Sequence, residues 1–290
     1  MSKNKRNKHS SRNKAPKGVG VRPSKSLGQN FLIDEGVISE IVEGSSISKD
    51  TLVIEIGPGT GALTLPLAEK AGHVTAVELD ERVIPGLRVK TFSLGNVDII
   101  HDDILRVDLK ELISGNLEKY GLKEVRIVGN LPYYITTPII MKLLEEDTGA
   151  ASITVMMQKE VADRIASEPG TKPAGAITYS VHYYADVTKI VDVGRECFYP
   201  APKVDSAVLR LDLRDECPVN VADEDLFFNC IKAGFTHRRK TLLNSLASLG
   251  GYEKAAIEKA LLRAGIEPER RAESLSMEEF ARLADSLKEA

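Results

Sequence analysis

Cysteine is scarce in this chain. Cys197, Cys217 and Cys230 are the only three among 290 residues, and no two have a C-x-x-C spacing. An odd, scattered set excludes a disulfide framework, argues against a zinc site and fits a reducing cytoplasm. The five histidines form no metal-like H-x-x-x-H pair, so no metal is expected. No run of about 18 apolar residues exists, so no membrane span is expected. The N-terminus lacks an apolar stretch and does not read as a secretory signal. No internal repeat is found. Acids are also missing from the first 30 residues. Nine of the 39 Lys and Arg lie there and none of the 42 Asp and Glu, so a +9 arm precedes a body of −12. Residues 1–23, which hold eight of these nine bases, cannot bury enough surface to fold alone and are expected to form a disordered arm. Its charge suits a polyanion, with nucleic acid the expected partner.

What is present is globular. The chain is 42% hydrophobic and 28% charged, near the average for folded domains. Its length suits one large domain or two. Short apolar runs at residues 51–57, 73–79, 97–103, 124–130 and 152–158 read as buried strands. Helical patterns stand between the early ones, at residues 61–71 and 81–90. That alternation predicts an α/β fold with a doubly wound, mainly parallel sheet. Residues 185–193 and 206–213 are two more strands with no helix-length segment between them, so an antiparallel pair is expected to close the sheet. From residue 223 onward only helical patterns occur. Leu242, Leu243, Leu246 and Leu249 share one face, and Ile257, Leu261 and Ala264 another. Ser276 and Glu279 form a capping box, with Leu275 and Phe280 placed as a hydrophobic staple. Pro218 and the loss of strand pattern put a boundary near residues 214–223. The expected division is the arm at 1–23, a sheet domain at 24–214 and a smaller helical domain at 215–290.

The first strand runs into Glu55-Ile-Gly57-Pro-Gly59-Thr-Gly61. Glycines let backbone turn tightly and approach a ligand. Glu78, 21 residues after Gly57, ends the second strand, where an acid hydrogen-bonds ribose hydroxyls in nucleotide-binding sheets. Asp103, at the third strand's end, supplies an acceptor where an adenine amino group would lie. The spacing is not the dinucleotide G-x-G-x-x-G, and no P-loop lysine follows. E-x-G-x-G-x-G with that acid resembles motif one of the class I S-adenosyl-L-methionine methyltransferases. A dehydrogenase is the competing reading at this point.

The fourth strand decides between them. It ends in Asn130-Leu131-Pro132-Tyr133. The lone pair of adenine N6 is delocalised into the ring, so the amine is a poor nucleophile. Accepting hydrogen bonds from both of its N–H groups draws it toward tetrahedral geometry and frees the lone pair. Asn130 offers a side-chain carbonyl, and Leu131 a backbone carbonyl held by Pro132. Acceptors fixed in advance avoid reorganisation during reaction. Tyr133 supplies a flat face for an extruded base.

N-L-P-Y on such a sheet resembles the adenine-N6 methyltransferases. KSLGQNFL at residues 25–32, QKEVADR at 158–164, FYPAPKVDS at 198–206 and FTHRRKTL at 235–242 narrow the match. Together they resemble the ribosomal RNA adenine dimethyltransferase family, in its bacterial small-subunit (16S) branch, from about Ser24 to the C-terminus. The resemblance implies methyl transfer from S-adenosyl-L-methionine, without metal, to N6 of two adjacent adenosines of 16S ribosomal RNA. The implied substrate is an immature small ribosomal subunit, and the implied enzyme a cytoplasmic monomer without membrane contact. By the same resemblance Asn30 and Leu32 close over the cofactor's methionine end and Gly57 lies under its backbone. Glu78 holds the ribose, Asp103 the adenine, and Asn130 lies between cofactor and target amine. Tyr133 and Phe198 sandwich the target base, and Arg238, Arg239 and Lys240 face RNA phosphates. Two departures stand out. The arm is longer than the resemblance requires, and Lys172-Pro173-Ala174 replaces a segment that more often carries an aromatic residue. The alternatives are a large-subunit methylase of the resistance type and a non-catalytic ribosome-assembly factor. The 235–242 segment opposes the first, and the intact Gly57, Glu78, Asp103 and Asn130 set opposes the second.

Overall fold

The computed structural model describes residues 20–24, 27–237 and 239–289. Residues 1–19 of the arm expected at 1–23, with Lys25, Ser26, Arg238 and Ala290, lie outside them. In chain order the elements are β1 (Phe31–Leu32), α1 (Glu35–Gly44), β2 (Thr51–Ile56), α2 (Thr64–Lys70), β3 (His73–Glu78), α3 (Ile84–Thr91), β4 (Val97–His101), α4 (Leu109–Tyr120), β5 (Glu124–Asn130), α5 (Thr136–Glu145) and β6 (Ser152–Gln158). They continue with α6 (Lys159–Ile165), α7 (Ala176–Tyr184), β7 (Ala185–Val193), β8 (Phe198–Tyr199) and β9 (Ser206–Leu213). Four helices follow: α8 (Glu224–Phe235), α9 (Leu242–Leu246), α10 (Lys254–Arg263) and α11 (Met277–Lys288).

Seven strands form one sheet in the order β4-β3-β2-β5-β6-β9-β7. β9 alone is antiparallel to its neighbours β6 and β7. The last strand is therefore inserted inside the sheet rather than added at its edge. From β2 the chain winds one way to β3 and β4 and the other way to β5 and β6. The crevice at the carboxyl ends of β2 and β5 is thus a topological switch point, where doubly wound sheets bind ligands.

Strand side chains alternate between the two faces, and the core divides accordingly. Leu52, Ile54 and Ile56 of β2 join Ile113 of α4 and Ile139 and Leu143 of α5 on one face. Val53 of β2, Val74 of β3 and Val128 of β5 join Val37 and Ile41 of α1 and Leu67 of α2 on the other. A third cluster spans α8 to α11 and takes Ala174, Tyr179 and Tyr183 from before residue 214. Tyr179 explains the join. Its hydroxyl donates to Leu275 O at 2.6 Å and accepts from Gly170 N at 3.0 Å, and its ring meets Phe280 edge-on. The capping box of Ser276 and Glu279 is formed in full at the start of α11.

Candidate active site

The glycine segment after β2 is a turn that side chains would strain. Gly57, Gly59 and Gly61 have φ of +68, +53 and +88°, in the left-handed region that glycine enters at little cost. A Cβ at Gly59 would also stand 3.1 Å from the Phe31 ring, and one at Gly61 2.7 Å from Leu87 Cδ1. The turn leans on the end of β3. Gly57 N donates to Val77 O at 3.0 Å, and Gly59 N to Glu78 Oε2 at 2.9 Å. Glu78 Oε1 accepts from Asp80 N at 2.8 Å. The Glu78 carboxylate is 5% exposed. Burial pushes its pKa up, against the pull of the backbone N–H donors of Asp80, Gly59 and Leu79. Two amides fix its orientation, and its remaining lone pairs are left for a ligand in the cleft it lines.

That cleft encloses about 1050 Å³, its open mouth included, at the carboxyl ends of the parallel strands. Asp103 lines it from two residues beyond β4, with Oδ1 accepting from Leu105 N at 3.0 Å. Asn130 ends β5 opposite the glycine turn. The two strands close tightly here: a Cβ at Gly129 would lie 3.0 Å from Ile56 O, so only glycine fits without a shift. Asn130 Nδ2 donates to Asn30 O at 3.3 Å. This bond commits one end of the Asn130 amide and leaves Oδ1 as the free acceptor. Leu131 is buried and its N–H donates to Met156 O. The Tyr133 and Ser206 hydroxyls share a 2.6 Å hydrogen bond that anchors the Tyr133 ring. Burial raises the Tyr133 pKa.

Asn30, Leu32, Gly57, Glu78, Asp103, Asn130 and Tyr133, far apart in sequence, all line this one cleft. Phe198 does not. It pairs with Leu32 across the short β1–β8 ladder, is 4% exposed and packs in the core cluster of α1 and α2. The other aromatic residues on the cleft besides Tyr133 are Phe31, which is buried, and Tyr134, which is 57% exposed. Arg239 and Lys240 are exposed in the turn after α8. Among the described residues no group of His, Cys, Asp and Glu is placed to hold a metal, and no helix is long and apolar enough to cross a membrane.

Glu55 opens the E-x-G-x-G-x-G motif, but motif reading gave it no role of its own. It lines the cleft, is 1% exposed, and its Oε2 has no hydrogen-bond partner among the described residues. The available signal was an acid inside an otherwise uncharged strand, TLVIEI. Burial pushes its pKa up to about 8; the Thr64 hydroxyl opposes this and the Glu78 carboxylate adds to it. The folded protein holds this proton to about pH 8, whereas an ordinary glutamate releases it near 4.5. Stability is therefore lost as pH rises through that window. Glu55→Gln removes the loss. Its melting temperature should exceed the parent's by several degrees at pH 8, with the gap closing toward pH 5. A gap constant across that range would show that Glu55 does not titrate there.

A parallel sheet with a single antiparallel strand inserted next to last, and a glycine turn braced on an acid at the neighbouring strand's end, is the class I methyltransferase fold. The structure of a dimethyladenosine transferase from Plasmodium falciparum shares it, with a TM-score of 0.72 over 87% of this chain and 95% of that one, at 24% identity. The 23S rRNA methyltransferase ErmE matches with a TM-score of 0.66 over 89% of this chain and 100% of its own, at 28% identity. The ribosomal RNA adenine dimethylase family model matches residues 21–289, and the chain belongs to that family. Ribosomal RNA small subunit methyltransferase A of Shouchella clausii is 50% identical over 270 residues, 92% of this chain and 90% of the relative. The protein of that name from Clostridioides difficile is 47% identical over 262 residues, 90% of each.

Proposed function

We propose that this enzyme dimethylates N6 of two adjacent adenosines in 16S ribosomal RNA during ribosome biogenesis. Its substrate is an immature small subunit, and it works as a cytoplasmic monomer without a metal. The observation that carries this reading is the Asn130 amide. It stands across the switch-point cleft from the glycine turn, with Nδ2 engaged by Asn30 O and Oδ1 free to accept. Relatives named for the small subunit, at 47–50% identity over nine-tenths of the chain, support the choice of RNA.

The cleft suits S-adenosyl-L-methionine, which when bound supplies an electrophilic sulfonium methyl. Glu78 is oriented to accept from the ribose hydroxyls, and Asp103 from the adenine amine. The unmet Oε2 of buried Glu55 suits the cofactor's ammonium, whose positive charge would release the proton that burial otherwise keeps on this carboxyl. Asn30, Leu32 and Gly57 enclose the methionine end. Asn130 Oδ1 and the Leu131 carbonyl accept hydrogen bonds from the N–H groups of the target amine, two in the first transfer and one in the second, which favours its lone pair for attack. As the N–C bond replaces the methyl–sulfur bond, a neutral thioether would leave, and the cationic product amine would lose a proton to water. Tyr133 stacks on the extruded base, and the sandwich with Phe198 requires RNA binding to uncover that ring. Residues 215–290 form the RNA-binding part, with Arg239 and Lys240 toward phosphates.

Two measurements test this reading. In the first, labelled cofactor and unmethylated small subunits are incubated with the protein and the labelled nucleotides mapped. Two adjacent dimethylated adenines in 16S RNA are expected; label in large-subunit RNA, or none, refutes the assignment. In the second, Tyr133→Ala should weaken capture of the base by about 1–3 kcal/mol of stacking. Tyr133→Phe keeps the ring face and loses only the Ser206 bond, about 1 kcal/mol. Titration of RNA under single-turnover conditions separates them. Equal losses in both variants would mean that the ring face is not what acts.

A further inference from the structure

A chain of hydrogen bonds links the end of β3 to the Asn130 amide through a residue with no role so far. Gln29 Nε2 donates to Asp80 Oδ2 at 2.7 Å, across 51 positions of sequence. The other end of the same amide, Oε1, accepts from Ser24 N at 2.8 Å, so both ends of the Gln29 side chain are committed. Asp80 is itself 5% exposed and immobilised. Its Oδ1 accepts from Arg82 N and Nε, and its Oδ2 from Arg82 Nη2. Its own N–H holds Glu78 Oε1. On the other side, Gln29 is followed by Asn30, whose side-chain Nδ2 donates to Gly28 O at 3.0 Å and whose carbonyl receives Asn130 Nδ2.

We propose that Gln29 is a positioning residue whose bond to Asp80 holds the Asn30 carbonyl in place and thereby sets which end of the Asn130 amide faces the target amine. The physical need is specific. A side-chain amide has a donor end and an acceptor end of nearly the same shape. With Oδ1 inward, Asn130 accepts from the amine. Turned over, it presents N–H groups to N–H groups and offers nothing to the reaction. The Asn30 carbonyl is an acceptor only, so it selects the productive end, provided that it is held there. The other bonds of residues 28–30 are local, Gln29 N to Ser24 O at 3.1 Å and Asn30 Nδ2 to Gly28 O, and β1 begins only at Phe31, so the tie from Gln29 to the end of β3 is the bond that anchors this stretch to the sheet.

This inference rests on the proposed methyl transfer, and its test separates the two. Gln29→Glu sets two carboxylates against each other and breaks the tie. Adding Asp80→Asn in the same chain restores a hydrogen bond with the donor reversed, from an amide at position 80 to a carboxylate at position 29, at unchanged net charge. Single-turnover methyl transfer to small subunits at saturating cofactor should fall about tenfold or more in Q29E, the worth of one to two hydrogen bonds. It should recover most of that in Q29E/D80N. RNA affinity and the thermal melt should stay near the parent's in both. Gln29→Ala, which adds no charge, should also slow the chemical step without loss of RNA affinity. A parent-like rate in Q29E and Q29A, a double variant no faster than Q29E, or parallel losses of rate and melting temperature would overturn the role of Gln29. A parent protein that transfers no methyl to 16S RNA would instead overturn the function itself.

Discussion

Replacing Asn130 with alanine is expected to slow single-turnover methyl transfer on the order of 100- to 1000-fold, about 2.7–4 kcal/mol for one preorganised contact. The acceptor matters most as the amine becomes tetrahedral, so the loss falls on the chemical step and not on RNA affinity. Folding should survive. Asn130 is half-buried at a strand end, and its one recorded side-chain bond is the 3.3 Å link to Asn30 O. The neighbouring closure of β5 on β2 depends on Gly129 and is untouched by the change. Rapid-quench transfer beside a thermal melt checks this. A near-native rate would remove Asn130 from the mechanism. Equal losses of rate and stability would make it a turn former.

Glu78→Ala should weaken cofactor binding by roughly 10- to 150-fold, with RNA affinity unchanged. Hydrogen bonds to a charged acceptor are worth about 1.5–3 kcal/mol. Two effects add in the same direction. The ribose loses its acceptor, and Gly59 N loses the oxygen that holds the glycine turn. Glu78→Gln separates them. It keeps one carbonyl for a backbone N–H but turns an amide donor toward the other, so its loss should lie between those of the parent and the alanine variant. Calorimetry with the cofactor reads all three. An affinity unchanged in Glu78→Ala would take this residue out of the site.

Much of the fold was legible because buried strands announce themselves. The bounds of β5, β6, β7 and β9 coincide with the apolar runs read from sequence. Helix starts were less legible. α2 begins at Thr64 and not at residue 61, because Gly61 adopts φ +88° and the chain first completes a turn. α3 begins at Ile84, where Pro85 suits the first turn. The antiparallel closing pair was expected, but its order was not: β9 enters between β6 and β7. Strand pattern carries no neighbour information, and both places would bury the same apolar face.

The site divides in the same way. Motif spacing was enough to single out Gly57, Glu78, Asp103 and Asn130, because the switch point requires ligand-binding groups at strand ends and those ends can be counted. Residue type also pointed to the chemistry: an acceptor amide before Leu-Pro-Tyr suits an amine, and the resemblance of N-L-P-Y on such a sheet to the adenine-N6 methyltransferases named which one. Only tertiary structure decided what surrounds each group. It placed Phe198 against Leu32 and away from the cleft, since a ring in a two-residue ladder is buried by whatever packs over it. It left Glu55 with an unmet oxygen in the cleft, and it joined Gln29 to Asp80 across 51 positions. Burial and long-range hydrogen bonds depend on which segments meet, and local pattern does not contain that information.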